Sequence, residues 1–200
     1  MTEKISHKER TRARILDVAA EALREHGADG IGVANLMKRA GLTHGGFYAH
    51  FENRDDLVTH AIDRMFESSR TIMLRNMDGV GPAEGLAALI DDYLSDRRIE
   101  QVARGCPMPP LLGEVARMPA AARARFEQGV EAFRLRLEGA LEALGHREAD
   151  LLSRSVLAEM IGAVILGRAA TRPEDALAGL AASRERLKTR LGLDAKAGPG

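Results

Sequence analysis

The sequence predicts an all-α protein, and three observations support this fold class. Apolar residues recur at helical spacing along nearly the whole chain, and no stretch alternates apolar and polar residues long enough to predict a sheet. Aromatic residues make up only 4% of the chain while 45% is hydrophobic, so the core is rich in Leu and Ala, as is typical of packed helices. Glycines and prolines divide the chain into about nine helical segments.

Each predicted helix is bounded by residues that stop or start helices. Gly27, Gly41 and Gly145 end three of them in the manner of a C-terminal glycine cap. Residues 79–82 form the clearest break, and the proline-rich residues 105–110 are expected in a loop or in the first turn of a helix. The apolar stripes lie, in chain order, within residues 15–23, 33–40, 47–51, 57–77, 86–94, 111–115, 126–144, 151–170 and 177–191.

Bulk composition excludes several classes of protein. The 29 basic residues balance the 29 acidic ones, so net charge alone predicts no polyanionic partner. A single cysteine excludes an internal disulfide framework and fits a reducing compartment. The charged N-terminus lacks the apolar core of a secretory signal, and the longest apolar run, residues 160–167, is too short to span a bilayer. We therefore expect a cytoplasmic protein with no membrane partner.

Residues 33–51 have the pattern of a helix-turn-helix. Residues 33–40 form the first helix, and Gly41 permits the left-handed backbone of a sharp turn. Thr43 is a suitable N-cap for the second helix, residues 44–51. Because glycine disfavours a helix by about 1 kcal/mol relative to alanine, this helix depends on Phe47 and Phe51 facing the core.

The other face of the second helix then carries His44, Gly45, Tyr48 and His50. Gly45 permits close approach of a backbone to bases, and the tyrosine and histidine side chains are able to donate to phosphates or base edges. The alternative is a tight helical hairpin with a tyrosine at its rim, but packing alone does not explain this combination of glycines and aromatics. Basic residues 4–14 suit phosphate contact, and a solvated terminus explains them equally well.

A longer set of motifs surrounds this pattern. Residues 12–19 (RARILDVA), then Gly27, then residues 36–57 (LMKRAGLTHGGFYAHFENRDDL) follow with a specific spacing, and residues 10–58 as a whole resemble the TetR family of bacterial transcriptional regulators. The resemblance implies a homodimer with a DNA-binding domain in residues 1–53 and an effector-binding and dimerisation domain in residues 54–193. It implies a repressor that a small hydrophobic ligand releases from a palindromic double-stranded DNA operator, with no cofactor.

The resemblance also implies roles for individual residues. Thr43, His44, Gly45, Tyr48 and His50 fall on the recognition helix. Arg54 replaces a lysine that meets phosphate at the start of the next helix, and Arg12 lies in the basic first helix; we expect both to contact DNA. Residues 31–32 replace the usual hydroxyl pair, so one phosphate contact is expected to be missing. Residues 194–200 are expected to form a disordered tail.

Cys106 is the most informative residue of the second domain. It precedes Pro107 and lies near the predicted N-terminus of a helix carrying residues 111–115, a position that lowers a thiol pKa. Residues 104–106 with Leu112 and Glu114 resemble a TetR subgroup in which some members sense electrophiles or oxidants through this cysteine. Two interpretations stay open: a redox or electrophile sensor, and a buried cysteine that acts as a small apolar residue.

The rest of the second domain predicts a ligand pocket and a dimer interface. Methionines 65, 73, 77, 108 and 118 and aromatics 66, 93, 126 and 133 either line a pocket for the small-molecule effector or form ordinary core. The two last helices, residues 148–172 and 174–191, are expected to form a self-complementary four-helix contact between two chains, since small residues in the first permit close approach. Glycines in a buried helix of a monomer would give the same pattern.

Two other classes of protein compete with a regulator. No metal-spaced histidines, paired carboxylates or phosphate-binding glycine loop point to an enzyme, and Cys106 has only His146 outside the N-terminal region as a partner. An architectural DNA binder would bind duplexes with little sequence preference, and it has no need of a large uncharged second domain. We therefore expect a non-enzymatic regulator.

Overall fold

The computed structural model describes residues 6–28, 30 and 32–193, and these form nine α-helices, three short 3-10 helices and no strand. The predicted all-α class is confirmed. Lys4, Ile31 and the tail at 194–200, on which three expectations rested, lie outside the described residues. The α-helices are α1 (His7–His26), α2 (Val33–Arg39), α3 (Arg54–Met77), α4 (Pro82–Tyr93), α5 (Arg97–Glu100), α6 (Met108–Leu111), α7 (Ala120–Ala143), α8 (Ala149–Ala169) and α9 (Pro173–Arg190). The 3-10 helices span His44–Ala49, Val102–Arg104 and Val115–Arg117.

A capping box begins α1. The Ser6 hydroxyl accepts a hydrogen bond from the Glu9 N–H at 3.2 Å, and the Glu9 carboxylate accepts one from the Ser6 N–H at 2.7 Å. These bonds hold the pKa of Glu9 below its ordinary value. The helix ends at Gly27, whose φ of 73° is accessible to glycine at no steric cost. The Ser-x-x-Glu pattern of a capping box is visible in the sequence at residues 6–9.

The proline-rich segment folds differently from the expected helix over residues 111–115. A single helical turn, α6, contains Pro109 and Pro110, and a separate 3-10 turn follows at Val115–Arg117. Proline is tolerated in the first turn of a helix because the N–H it lacks has no partner there. The first-turn placement of the prolines is therefore confirmed, whereas the predicted continuous helix is wrong.

The described chain divides into two compact units. The first contains the described residues through Ser68 together with Val102–Gly129, and the second contains Ser69–Gln101 and the described residues from Val130 onward. The helices α3 and α7 each contribute to both units. This division by contacts differs from the functional boundary at residue 53, which stays a prediction.

The first unit has a continuous apolar core. Ile15 and Leu23 of α1, Leu57 and Met65 of α3, and Met108 of α6 are fully buried. Phe66 of α3 packs edge-on against Phe126 of α7, with ring centroids 5.2 Å apart. Residue 129 must be glycine here, because a Cβ would overlap the Phe66 ring.

Helices α8 and α9 pack along each other in the second unit, and α9 also packs against α4. Lys188 of α9 donates to the Asp91 carboxylate of α4 at 2.8 Å. Arg134 of α7, only 8% exposed, binds Glu131, Glu138 and Asp150 and thereby joins α7 to α8. No helix within the described ranges is long and apolar enough to cross a membrane.

Candidate nucleic-acid interface

The sharp turn between α2 and the following 3-10 helix forms as the sequence predicts. Gly41 has a φ of 67°, in the left-handed region that favours glycine. The Leu42 N–H donates to the Met37 carbonyl at 2.9 Å, which closes the end of α2. Gly41 therefore reverses the chain between the two helices of the motif.

The second helix of the motif is a six-residue 3-10 helix, His44–Ala49, and not an α-helix over residues 44–51. Two adjacent glycines make a regular α-helix costly at this point, so packing decides the local geometry. Phe47 and Phe51 are 1% and 2% exposed, and their rings lie 5.6 Å apart. Their predicted role in the core is confirmed.

Thr43 occupies the N-cap position with an extended backbone, at φ −81° and ψ 151°. Thr43 is therefore the N-cap residue, as predicted, but its side chain makes no capping hydrogen bond. Thr43 is exposed.

The exposed edge of the 3-10 helix carries three of the predicted contact residues. Tyr48 is 68% exposed, and His44 and Gly45 are exposed as well. The His44 and Tyr48 rings meet edge-on with centroids 6.3 Å apart. No described atom lies within 4 Å of the point where a Gly45 Cβ would stand, so this surface is open to a partner's close approach.

His50 follows the exposed edge but is half-buried. Its Nδ1 is buried and has no hydrogen-bond partner among the described residues. Desolvation lowers the pKa of His50, and the nearby charges of Lys8 and Arg12 lower it further. His50 is therefore neutral at neutral pH, and it presents less surface than the sequence suggested.

Arg12 of α1 lies over the Phe51 ring, with its guanidinium carbon 4.9 Å from the ring centroid. The half-buried Arg54, the first residue of α3, donates through Nη2 to the Ala28 carbonyl. Arg12 thus contacts the last residue of the helix-turn-helix, whereas Arg54 contacts the main chain just beyond α1. Around them, Lys8, Arg10, Arg14 and Lys38 are exposed and add basic charge to α1 and α2.

Cys106 is buried, two residues before the single turn α6. The longer helix whose dipole was expected to lower its pKa is absent there, so that part of the sequence argument fails. The guanidinium of Arg24, which is 5% exposed, interacts electrostatically with Cys106. Sequence reasoning missed Arg24, which at the end of α1 resembles an ordinary C-terminal basic residue.

Most of the methionines and aromatics that the sequence predicts as pocket lining or core are buried. Met65, Met73, Met108, Met118, Tyr93, Phe126 and Phe133 of the predicted pocket set are buried, whereas Phe66 and Met77 are half-buried. Burial of this kind fits core and pocket alike. No group of three or more potential metal-ligating side chains occurs among the residues that the structure describes.

Comparison with known proteins finds a family model that matches the N-terminal part of the chain. Residues 15–61 match the sequence model of TetR_N, described as bacterial regulatory proteins of the tetR family. A search of curated protein sequences found no match.

Solved structures share the fold over nearly the whole chain. A TetR transcriptional regulator from Chloroflexus aurantiacus is 24% identical, with a TM-score of 0.80 over 92% of this chain and 96% of that one. A TetR-family regulator from Cytophaga hutchinsonii is 19% identical, with a TM-score of 0.81 over 95% and 97%. The reduced form of E. coli NemR is 19% identical, with a TM-score of 0.76 over 88% and 96%. Residues 15–61 thus match the family model of bacterial regulatory proteins of the tetR family, and the described chain shares the fold of solved TetR-family regulators.

Proposed function

We propose that this regulator is a repressor that binds a palindromic DNA operator as a homodimer and leaves it when a small hydrophobic ligand binds. The observation that supports DNA recognition is the exposed edge formed by His44, Gly45 and Tyr48, behind which Phe47 and Phe51 anchor the 3-10 helix. Hydrogen-bonding side chains beside an open glycine suit contact with base edges and phosphates. The surrounding basic residues of α1 and α2 supply charge for the phosphate backbone.

Binding to a selected duplex tests this assignment. The selected duplex is the DNA that the wild-type protein enriches most strongly from a random-sequence library. Each of His44→Ala and Tyr48→Ala is expected to weaken binding to it by about 5- to 150-fold, the effect of losing one base or phosphate contact worth about 1–3 kcal/mol. Glu127→Ala, an exposed change on α7, serves as the control. Enrichment of no duplex, or wild-type affinity in both variants, contradicts the proposal.

We propose that the homodimer forms through contacts between the α8 and α9 helices of two chains. Leu151, Ile165 and Leu166 of α8 and Leu177 of α9 are exposed, and Leu166 is 74% exposed. Ser155, Ala158 and Gly162 lie between them along α8, so a second helix has room to approach closely. By contrast Leu157, Ile161 and Val164 are buried within the protomer. Exposed apolar side chains beside small residues are typical of a self-complementary helix contact.

Light scattering coupled to size-exclusion chromatography tests the dimer. Leu166→Glu is expected to yield a monomer, because two carboxylates near the symmetry axis would repel each other and would be desolvated. Leu135→Glu replaces a leucine that is 51% exposed on α7 and should leave the dimer intact. A monomeric wild-type protein, or an L166E protein that is dimeric, contradicts the proposal.

A second candidate for the switch is covalent modification of Cys106, and its proximity to buried Arg24 supports it. The positive charge of Arg24 favours the thiolate, the reactive form of cysteine. Addition of the thiolate to an electron-poor alkene forms an S–C bond, and the resulting carbanion takes a proton from water. The test uses protein bound to the selected duplex and treated with such an alkene. Retention of DNA by Cys106→Ser supports the candidate, and release equal to that of the wild type contradicts it.

A further inference from the structure

Ala28 lies just beyond the end of α1, and side chains hold both of its main-chain polar groups. Its N–H donates to Oε2 of Glu114 at 2.8 Å, a contact between residues 86 positions apart. Its carbonyl accepts from Nη2 of Arg54. An acidic and a basic side chain thus hold the main chain of one residue on both sides of its Cα, just beyond the end of α1. Charge-assisted hydrogen bonds of this type are about twice as strong as neutral ones.

Gly27 fits the same arrangement. Its φ of 73° lies in a region of backbone conformation that residues with a Cβ rarely adopt. A Cβ at this position would also overlap the Glu114 carboxylate. Glycine is required here both by the backbone conformation and by the position of the Glu114 carboxylate. We call Glu114, Arg54 and the 27–28 backbone between them the Ala28 clamp.

The segment that carries Glu114 is attached to α1 at a second point. Near its start, the Ala103 carbonyl accepts a hydrogen bond from Arg24 at 3.2 Å. α1 also packs against the 3-10 helix Val102–Arg104 and against α6. Residues 102–118 therefore support the end of α1 and the turn after it, although they are far from both in sequence.

Glu114 also has room to move. Glu114 and Arg54 both line a cavity of about 330 Å³, together with Asp55 and Arg117, and Glu114 is half-buried. The carboxylate is therefore able to leave Ala28 and remain solvated, so the contact is able to open without unfolding the protein.

We propose that Glu114 is a positioning residue for DNA binding: through the Ala28 clamp it holds the 27–28 backbone at the end of α1 in the conformation in which the helix-turn-helix binds DNA. This proposal rests on the proposed DNA-binding function. When the carboxylate leaves, the Ala28 N–H bonds to water and the 27–28 backbone gains other conformations. Apparent affinity falls in proportion to the fraction of molecules that remain competent to bind.

The test measures affinity of the full-length chain for the selected duplex, together with amide hydrogen exchange of a peptide spanning residues 27–35. Glu114→Ala is expected to weaken binding about tenfold, the effect of losing one charge-assisted hydrogen bond, and to speed exchange in that peptide. Glu114→Gln keeps an oxygen that accepts from Ala28 and is expected to stay within about threefold of wild type, since a neutral acceptor weakens but does not remove the bond. Glu127→Ala, exposed on α7, is the matched control and should change neither quantity.

The outcomes separate the clamp from the DNA-binding assignment. The proposal is overturned if E114A binds the selected duplex as tightly as E127A does. It is also overturned if E114Q binds the duplex as weakly as E114A does. Where E114A does not fold, Glu114→Asp replaces it: the shorter carboxylate falls short of Ala28 and should bind DNA less tightly than E114Q, and equal affinity overturns the proposal. The exchange measurement needs no DNA, so unchanged exchange in E114A contradicts the clamp. Enrichment of no duplex by the wild type contradicts the proposed function.

Discussion

Arg24 donates a hydrogen bond through Nη1 to the main-chain carbonyl of Ala103, at 3.2 Å. The same buried guanidinium reaches the carbonyls of Ala20 and Met65, each at 3.3 Å, so one side chain joins α1, α3 and the 3-10 helix Val102–Arg104. Desolvation lowers the pKa of Arg24 to about 10, and the group therefore still carries its charge at neutral pH. Its Nε has no hydrogen-bond partner among the described residues.

Removal of this side chain should destabilise the protein. Arg24→Ala leaves the carbonyl of the half-buried Ala103 without its donor and is expected to lower the free energy of unfolding by about 2–3 kcal/mol. Chemical denaturation measures the change. Arg14→Ala, an exposed arginine of the same helix, should change stability by less than about 0.5 kcal/mol. If R24A loses no more free energy of unfolding than R14A, the three carbonyl contacts make no net contribution to stability.

Gly45 and Gly41 should respond to alanine in opposite ways. Gly45→Ala adds a methyl group into open space and is expected to fold with wild-type or higher stability, while binding to the selected duplex weakens because the methyl group keeps the backbone away from DNA. Gly41→Ala is expected to lose about 1–2 kcal/mol of stability, since its φ of 67° is unfavourable for alanine. Thermal unfolding and DNA titration of both variants check this, and a G45A protein with full DNA affinity would exclude close approach at Gly45.

Stability should fall as the solution becomes mildly acidic, in part through His50. The pKa of His50 is lowered in the folded protein, by desolvation first and then by Lys8 and Arg12. As pH falls below the ordinary value of 6.5, the unfolded chain takes up this proton first, so folding loses stability until the folded histidine is protonated as well. Melting temperatures at about pH 7.5 and about pH 5.5 should differ less in His50→Gln than in the wild type. Equal differences in both proteins contradict the assignment, and His44→Gln provides an exposed control.

The Arg134 cluster should stabilise the second unit near neutral pH and lose this effect in acid. Hydrogen bonds from Arg134 lower the pKa of Glu131 from 4.5, and Arg154 first, then Arg134, lower the pKa of Asp150 from 3.8. The contribution of these carboxylates is complete above their ordinary pKa values and is lost as pH falls through the lowered ones. Arg134→Met is therefore expected to be less stable than the wild type near neutral pH. The difference between their free energies of unfolding should become smaller below about pH 4.

Arg154→Ala is the matched control for this cluster, because Arg154 binds the same Asp150 from an exposed position. Denaturant unfolding across the pH range should give a smaller loss for R154A than for R134M. A gap between R134M and wild type that is independent of pH would mean that packing, and not charge, gives Arg134 its effect.

The sequence by itself determined the all-α class, the breaks between helices, and the two helices and turn of the DNA-binding motif. These features follow from local rules: apolar residues at helical spacing, prolines in first turns, and a glycine where the backbone needs a positive φ. Gly41, Phe47 and Phe51 were predicted correctly for that reason. The spacing of residues 36–57 also indicated the TetR family, and residues 15–61 match that family's model.

Tertiary structure alone decided the rest. Residues 44–49 include two adjacent glycines, which by themselves disfavour a helix. They form a 3-10 helix because the burial of Phe47 and Phe51 outweighs this cost. The Ala28 N–H finds its acceptor 86 residues away, and Arg24 bonds a carbonyl 79 residues away. A sequence shows which residues are able to donate or accept, but only packing selects the partner. The polar contacts that support the end of α1 are therefore visible only in the folded chain.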